Sequence, residues 1–332
     1  MRTPFTPREV IFAPTAQCNL NCGHCRVDRA RGTDSNRLTE SAALTFLEDC
    51  AKHGIDRVGF SGGEPFLEIG FIEAIVAKSV ELGLYFDRLM TNGVWWKDRG
   101  ELDAALERVI GSGFDGTLAV SVDSWHAQDP ARVAEFLLAS GTIAGRNDFF
   151  EIVSVLDRDG KPPLGQLEAL ARGLNAGLVC ESGTPVAIRD AQYRMNRDRN
   201  MEDGSGINIP VIAIPLSPSQ GDASGWSKSR WFTDDWCEGP GQVFYVHPDG
   251  LVAVCCGFAN ESAELIAGHA SEGYEALLSA ARDTPHIRDC YERGLKARKD
   301  ELEQSGITFP GKTDDICFFC EYLCRNGLAK GN

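Results

Sequence analysis

Three cysteines near the N-terminus have a spacing suited to binding metal. Cys18, Cys22 and Cys25 fall within the sequence Cys-Asn-Leu-Asn-Cys-Gly-His-Cys. Thiolates on one short loop can ligate three irons of a 4Fe–4S cluster and leave the fourth iron without a protein ligand. Zinc also binds thiolates, but a structural zinc site prefers four protein ligands, for which His24 is the available fourth group. The spacing therefore favours an iron–sulfur cluster over zinc.

Further cysteines are concentrated in the C-terminal third of the chain. The 332-residue sequence contains 12 cysteines and no recognisable secretory signal, which indicates metal or redox chemistry rather than disulfides. Cys50, Cys180 and Cys290 are predicted to be packing residues. The remaining C-terminal cysteines are Cys237, Cys255, Cys256, Cys317, Cys320 and Cys324.

Composition limits the class of protein. The chain is 43% hydrophobic and 24% charged, as in folded globular proteins, and no apolar run approaches the roughly 18 residues of a membrane span. The N-terminus has no apolar signal-peptide core, so we expect a cytoplasmic protein. The formal net charge of −15 argues against nucleic acid and membrane surfaces as partners.

The elements that must position these residues alternate between strands and helices. Apolar runs and amphipathic stretches give about six βα units, as in α/β layered or barrel folds. Because ligands bind at the carboxyl ends of parallel strands, we expect the motifs that follow the strands to meet at one site. The strands and their motifs are Glu9–Ala13 before the cysteine loop, Arg57–Phe60 before Gly62-Gly63-Glu64-Pro65, Leu84–Met90 before Thr91-Asn92-Gly93, and Thr117–Val122 before Asp123-Ser124.

Three regions are predicted along the chain. Residues 1–190 form the α/β domain, 191–230 a linker rich in polar residues, Pro, Gly and Ser, and 231–332 a smaller α+β domain. Pro248-Asp249-Gly250 predicts a β-hairpin turn. A polar segment at about Tyr274–Gln304 is expected to be helical.

The N-terminal motifs resemble those of the radical S-adenosylmethionine (SAM) superfamily. The resemblance covers roughly residues 9–190 and rests on Cys-x3-Cys-x2-Cys after the first strand and Gly-Gly-Glu-Pro after the second. It implies a partial (β/α)6 TIM-type barrel in which Cys18, Cys22 and Cys25 hold a 4Fe–4S cluster. His24 departs from the aromatic or apolar residue usual before the last cysteine.

The resemblance also implies a cofactor and a reaction. The open iron would chelate the amino and carboxylate groups of SAM, and one electron would cleave the sulfonium to a 5′-deoxyadenosyl radical that removes a substrate hydrogen atom. The residues that would bind SAM are Gly62, Gly63, Glu64, Pro65, Thr91, Asn92 and Ser121.

The C-terminal cysteines resemble the auxiliary-cluster domains called SPASM and twitch. Cys237 followed by Gly250-x4-Cys255 is similar to their opening, and the compressed last group favours the one-cluster twitch form. The resemblance implies one auxiliary 4Fe–4S cluster on Cys237, Cys255, Cys317 and Cys320, with Cys324 able to replace one of them. A zinc site made from the same thiols is the alternative.

Three residues are candidates for substrate chemistry. Cys256 adjoins a proposed ligand on a strand, so its side chain is expected on the opposite face, where it is either a hydrogen-atom donor or a buried structural cysteine. Asp123 and His126 are candidates for acid or base chemistry, with loop hydrogen bonds as the alternative for each.

The function that follows is modification of a ribosomally made peptide by crosslinking, oxidation or epimerisation. A dehydrogenase or epimerase of an aminocyclitol or sugar-like molecule is the alternative, and a non-catalytic zinc or iron–sulfur scaffold is a more remote one. Only 17 residues precede Cys18, so we expect no fused leader-peptide domain and allow for a separate leader-peptide-binding protein. The expected electron source is an external one-electron donor of the flavodoxin or ferredoxin type.

Overall fold

The computed structural model describes residues 4–32, 37–190, 206–233, 236–237, 242–257 and 259–329. The chain divides into two compact units. The first, here the barrel unit, comprises Pro14–Cys25 and Val58–Leu216. The second, the cysteine-rich unit, comprises Met1–Ala13, Arg26–Arg57 and Ser217–Asn332.

Strands and helices alternate through the first half of the chain. The strands are β1 (Glu9–Phe12), β2 (Arg57–Phe60), β3 (Tyr85–Thr91), β4 (Thr117–Ser121), β5 (Phe150–Val155), β6 (Gly177–Glu181), β7 (Thr184–Arg189), β8 (Asn208–Ile214), β9 (Val243–Val246), β10 (Leu251–Ala253) and β11 (Ile266–His269). The helices are α1 (Glu40–Lys52), α2 (Ile69–Leu82), α3 (Arg99–Gly111), α4 (Pro130–Ala144), α5 (Leu164–Gly173), α6 (Tyr274–Asp283), α7 (Pro285–Arg288), α8 (Leu295–Gln304) and α9 (Ile316–Arg325).

The barrel unit contains a sheet in the order β2-β3-β4-β5-β8-β7-β6. The pairs β3–β4, β4–β5 and β5–β8 are parallel. Thr91 at the end of β3 pairs with Val120 in β4, and Ser121 at the end of β4 pairs with Val153 in β5. This register brings the residues after β3 and β4 to the same edge of the sheet, as the sequence predicts.

Local sequence signals set the ends of the helices between these strands. Asp98 accepts a hydrogen bond from Glu101 N at the start of α3, and Asp129 accepts one from Ala131 N at the start of α4. Gly83 ends α2 in the left-handed conformation, with φ of 69°, which glycine adopts without steric cost. These caps leave the buried helix faces to cover the sheet.

The predicted linker 191–230 contains a strand of this sheet. β8 pairs in parallel with β5 and antiparallel with β7, while β6 and β7 form a hairpin. The sequence predicts a strand at Leu178–Cys180 or Val186–Arg189, and both segments are strands, but they pair with each other antiparallel and β8 is the strand parallel to β5. The part of the linker at 191–205 lies outside the described residues.

The cysteine-rich unit contains strands in the order β11-β10-β9-β1. β9 and β10 form the predicted antiparallel hairpin, and β1 pairs in parallel with β9. Gly250 in the turn has φ of +81°, and a Cβ there would lie 2.3 Å from the His269 ring, so the turn requires glycine.

The predicted helical segment of this unit is broken into pieces. Pro285 begins the short helix α7, a π-helical turn follows over Asp289–Arg293, and Gly294 with φ of 91° precedes α8. Proline removes a helix hydrogen bond and glycine permits the turn, which explains both breaks. None of the helices among the described residues is both long and apolar enough to cross a membrane.

Candidate functional site

The cysteine loop of the barrel unit holds three thiols that are not in disulfides. Cys18 and Cys22 are half-buried and Cys25 is exposed. The Cys18 sulfur accepts hydrogen bonds from Leu20 N at 3.4 Å and from Asn92 Nδ2 at 3.7 Å. N–H groups directed at a sulfur favour its thiolate form, which is the form that binds metal.

Glu64 joins the second and third strand-end motifs. Its carboxylate is fully buried and accepts hydrogen bonds from Phe66 N at 3.1 Å, Thr91 Oγ1 at 2.9 Å and Asn92 N at 2.8 Å. Burial raises the pKa of Glu64 to about 7, against the lowering effect of these donors. The side chain is therefore engaged in holding these loops together.

Gly63 lies against the backbone of the cysteine loop. Gly63 N donates to Thr15 O and Glu64 N donates to Gln17 O, each at 2.8 Å. A Cβ at Gly63 would lie 2.1 Å from Gln17 O and 2.7 Å from the carbonyl group of Ala16. Only glycine allows this contact, so the motif sets the position of the loop that carries the cysteines.

The other predicted SAM-binding residues lie along the same edge. Gly62 is half-buried, with φ of +121°. Pro65 begins a short 3₁₀ turn, which the Glu64 side chain caps by accepting a hydrogen bond from Phe66 N. The carbonyl group of Ser121 accepts a hydrogen bond from Gln128. The structure thus brings the cysteine loop and the ends of β3 and β4 into one region of the barrel unit.

Gln128 is a site residue that the sequence did not reveal. Its Nε2 atom donates to Asn92 O at 2.7 Å and to Ser121 O at 2.6 Å, which ties the ends of β3 and β4 together. The side chain is 9% exposed. A single glutamine outside any motif gives no signal in the sequence. Its role in joining the two strand ends becomes visible only once the parallel register of β3 and β4 is known.

Asp123 stabilises the loop that follows β4. It is 2% exposed, and its carboxylate accepts hydrogen bonds from Trp125 N, His126 N and Val155 N and contacts His126 Nδ1 at 2.8 Å. Because these hydrogen bonds occupy the carboxylate oxygens, the structure favours a loop-stabilising role for Asp123 over acid or base chemistry.

His126 faces the cysteine loop. Its ring centroid lies 4.9 Å from that of His24, and its side chain is hydrogen-bonded to Cys22. Burial disfavours the charged ring, but the hydrogen bonds to Asp123 and Cys22 outweigh burial and raise the pKa of His126 to about 9. The imidazole therefore carries a positive charge beside a predicted cluster ligand.

The cysteine-rich unit contains a cavity of about 260 Å³ lined by thiols. This volume is far larger than one metal ion needs. Tyr291 donates to Val254 O at 2.6 Å, and Cys237 N donates to Cys290 O at 2.9 Å, so the π-helical turn is tied to the hairpin beside the cavity. The cysteines that line the cavity are Cys237, Cys255, Cys290, Cys317 and Cys320.

Helix α9 presents Cys317, Cys320 and Cys324 on one face, as their spacing requires. Asp315 caps the helix by accepting from Phe318 N at 2.9 Å. The Phe318 ring is fully buried, contacts Trp226 and occupies the space that a side chain at Gly225 would fill. This aromatic packing fixes α9 against the rest of the unit.

Two predictions about cysteines are wrong, those for Cys256 and Cys180. β10 ends at Ala253, so Cys256 is not on a strand and the alternation of strand faces does not apply to it. Cys290 is buried, as predicted for a packing residue, and it also lines the cavity. Cys180 is exposed on β6, whereas Cys50 is buried in α1 as predicted.

The comparison with protein families identifies the N-terminal part of the molecule. Residues 12–158, which contain the cysteine loop and the motifs after β2, β3 and β4, match the radical SAM superfamily. This part of the chain is therefore similar to a radical SAM domain. Members of this family use a 4Fe–4S cluster and SAM, which are the cofactors predicted from the motifs.

Relatives of this chain are named for different activities. The chain is 27% identical over 229 residues to a GTP 3′,8-cyclase of Alkaliphilus metalliredigens, a match covering 67% of this chain and 59% of the relative. It is 35% identical over 117 residues to a PqqA peptide cyclase of Methylorubrum populi, covering 33% and 29% of the two chains. The chain thus spans less than two thirds of either relative.

Solved structures support the fold. Native anSMEcpe with bound AdoMet and the Cp18Cys peptide superposes with a TM-score of 0.53 at 13% identity, covering 97% of this chain and 98% of that one. Streptococcus suis SuiB bound to its precursor peptide SuiA gives a TM-score of 0.51 at 13% identity, covering 94% and 76%. The predicted TIM-type partial barrel is confirmed.

Proposed function

We propose that this protein is a radical SAM enzyme that removes a hydrogen atom from a ribosomally made peptide. The observation that carries the catalytic part is the hydrogen-bonded connection between the cysteine loop and the strand-end motifs. Asn92 contacts both the Cys18 sulfur and the Glu64 carboxylate, and Gly63 contacts the loop backbone directly. A zinc scaffold would not require this convergence of loops at the edge of a barrel.

The donor set of the cysteine loop suits a 4Fe–4S cluster with one open iron. Cys18, Cys22 and Cys25 supply three thiols, none of them in a disulfide, on a loop that remains accessible. A bound cluster and SAM supply reductive cleavage of the sulfonium to a 5′-deoxyadenosyl radical, which abstracts a hydrogen atom from substrate. The N–H groups at Cys18 stabilise its thiolate, and the Gly62-Gly63 backbone offers carbonyl groups to the amino group of SAM.

The thiol-lined cavity suits an auxiliary 4Fe–4S cluster. Cys237, Cys255 and Cys317 are part of its lining, with Cys256 or Cys320 as the fourth ligand. Burial raises the pKa of Cys237 to about 11, so its thiol keeps its proton until a metal replaces it. Closely spaced buried thiols with raised pKa values are the state expected of metal ligands before loading.

The peptide substrate rests on two similarities. One relative is a PqqA peptide cyclase, and two structures with the same fold contain bound peptides. An external one-electron donor of the flavodoxin or ferredoxin type and a separate leader-peptide-binding protein belong to this proposal. A small-molecule substrate is the second candidate, because the match to a GTP 3′,8-cyclase covers twice as much of this chain as the match to the peptide cyclase.

The catalytic proposal is tested by SAM cleavage. Protein purified without oxygen, loaded with iron and sulfide and reduced with dithionite should release 5′-deoxyadenosine from SAM. Replacing Cys18, Cys22 and Cys25 by alanine should abolish the release, whereas Cys180→Ala, at an exposed position on β6, should leave it unchanged. Release that persists in the triple variant contradicts the proposal.

The substrate is tested separately. Peptides encoded beside the gene are incubated with the loaded protein and SAM, and their masses are compared with those from the triple cysteine variant. A mass change that requires the three cysteines supports peptide modification. Modification of an aminocyclitol or nucleotide by the same preparation, with the peptides unchanged, would establish the small-molecule alternative instead.

A further inference from the structure

Two helical segments of the cysteine-rich unit each present a pair of metal-binding side chains four residues apart. His286 lies in α7 and Cys290 in the π-helical turn that continues it. Cys320 and Cys324 lie in α9. Side chains at this spacing share one side of a helix, so each pair can bind the same ion.

His286 Nε2 and Cys320 Sγ each lie within 4.8 Å of the other three donor atoms of these pairs. His286 Nε2 is 3.2 Å from Cys320 Sγ and 3.9 Å from Cys290 Sγ, and the Cys290 and Cys320 sulfurs are 3.9 Å apart. The donor atoms of His286, Cys320 and Cys324 all lie within 4.8 Å of one another. Tetrahedral zinc, with bonds of about 2.3 Å to sulfur and 2.0–2.1 Å to nitrogen, places its ligands about 3.5–3.8 Å apart.

The four side chains are almost completely enclosed. His286 is 1%, Cys290 4%, Cys320 8% and Cys324 6% exposed. The Nδ1 atom of His286 has no hydrogen-bond partner in the described part of the chain, so the polar contacts of the ring with the thiols are made through Nε2. Nε2, the nitrogen that faces the thiols, is therefore the ring atom that a metal ion would bind.

We propose that His286, Cys290, Cys320 and Cys324 bind one zinc ion. Three thiolates and one imidazole complete a closed tetrahedral site of the kind that structural zinc prefers. A 4Fe–4S cluster suits these four groups less well, because thiolates on different irons stand farther apart than thiolates on one ion. The ion would fasten the α7 segment to α9.

The zinc site assigns the remaining thiols to the auxiliary cluster. With Cys320 and Cys324 on zinc, Cys256 becomes the fourth cluster ligand beside Cys237, Cys255 and Cys317. Cys256 directly follows Cys255 in the chain and is half-buried. This assignment does not depend on radical chemistry, so the zinc site and the proposed function succeed or fail separately.

The test is a metal count on the full chain, purified without oxygen and loaded with iron and sulfide. We expect about one zinc and about eight irons per chain, the latter from two 4Fe–4S clusters. Cys290→Ala and Cys324→Ala should each lower zinc at least about fivefold and leave iron unchanged. Cys256→Ala should remove about four irons and leave zinc in place, and the control Cys180→Ala should change neither.

Zinc X-ray absorption of the unaltered protein tests the ligand set even if a variant fails to fold. The expected spectrum has three sulfurs at about 2.3 Å and one nitrogen at about 2.0–2.1 Å. Absence of zinc, a site with four sulfurs, or a disulfide between Cys290 and Cys320 would overturn the proposal. Loss of iron instead of zinc in Cys290→Ala or Cys324→Ala would also overturn it, since those residues would then be cluster ligands.

Discussion

Adding one methyl group at Gly63 is expected to displace the cysteine loop from the barrel unit. In Gly63→Ala the new Cβ would lie 2.1 Å from Gln17 O and 2.7 Å from the carbonyl carbon and oxygen of Ala16. These are backbone atoms, so no side-chain rotation can relieve the overlap. Gly63 does not have a positive φ. The expected effect of Gly63→Ala therefore comes from the steric overlap and not from backbone strain.

The size of the effect follows from these distances. The loop must retreat by roughly 1.3 Å before the closest contact reaches the 3.4 Å of ordinary van der Waals packing. This movement weakens the hydrogen bonds from Gly63 N to Thr15 O and from Glu64 N to Gln17 O, each worth about 0.5–1.5 kcal/mol. A misplacement of about 1 Å near reacting atoms can lower a rate about 100-fold.

The assay compares SAM cleavage and stability with a matched glycine. We expect Gly63→Ala to release 5′-deoxyadenosine about 100-fold more slowly per bound cluster. We also expect its free energy of unfolding, measured in urea, to be lower by about 1–3 kcal/mol. Gly165 in α5 has open space around its Cβ position, so Gly165→Ala should keep the rate and add a few tenths to 1 kcal/mol of stability. A cleavage rate in Gly63→Ala within threefold of the unaltered protein would refute the reasoning.

Three further predictions concern the same unit and are measured on metal-free protein. The pKa of Glu64 is raised from 4.5 to about 7, so its contribution to stability is present below pH 4.5 and is lost as the pH rises through 7. Relative to Glu64→Gln, the unaltered protein should lose up to about 1.4 kcal/mol per pH unit in this window in urea titrations, and a constant difference would contradict the pKa. Gln128→Leu removes a donor from Asn92 O and should lower the free energy of unfolding by about 1–3 kcal/mol; an unchanged urea midpoint would show that the bond is dispensable. Asp123→Asn removes the carboxylate beside His126 and should lower the pKa of that imidazole from about 9, as followed by NMR, and an unmoved pKa would exclude the pair as its cause.

The features predicted correctly from the sequence are those encoded by neighbouring residues. The cysteine loop, the Gly-Gly-Glu-Pro turn and the hairpin at Gly250 each depend on a few adjacent positions, and the family comparison and the strand pairing agree with them. β8 is not predicted because its place depends on pairing with β5, 59 residues earlier in the register Ile152–Val211, while its surroundings have the composition of a linker.

The same distinction applies to the cysteines. The prediction for Cys256 fails because strand alternation does not extend beyond Ala253, where β10 ends. A single cysteine carries no motif, so the place of Cys290 at the cavity is not predicted. The signal that could have found it is the His-x3-Cys spacing of His286 and Cys290, which repeats the Cys-x3-Cys spacing of Cys320 and Cys324.

The protonation of the thiols connects metal loading to the fold of the cysteine-rich unit. Burial raises the pKa of Cys237 and Cys317, and the charges of neighbouring thiols raise them further. Several thiolates so close together are unstable without a cation, whereas the neutral thiols form only weak hydrogen bonds. Metal ions bound as proposed would replace the protons and turn a set of weak contacts into bonds between the hairpin, the π-helical turn and α9. The barrel unit has its own strand ladder and the buried Glu64 network, so loss of metal should loosen the cysteine-rich unit more than the barrel unit.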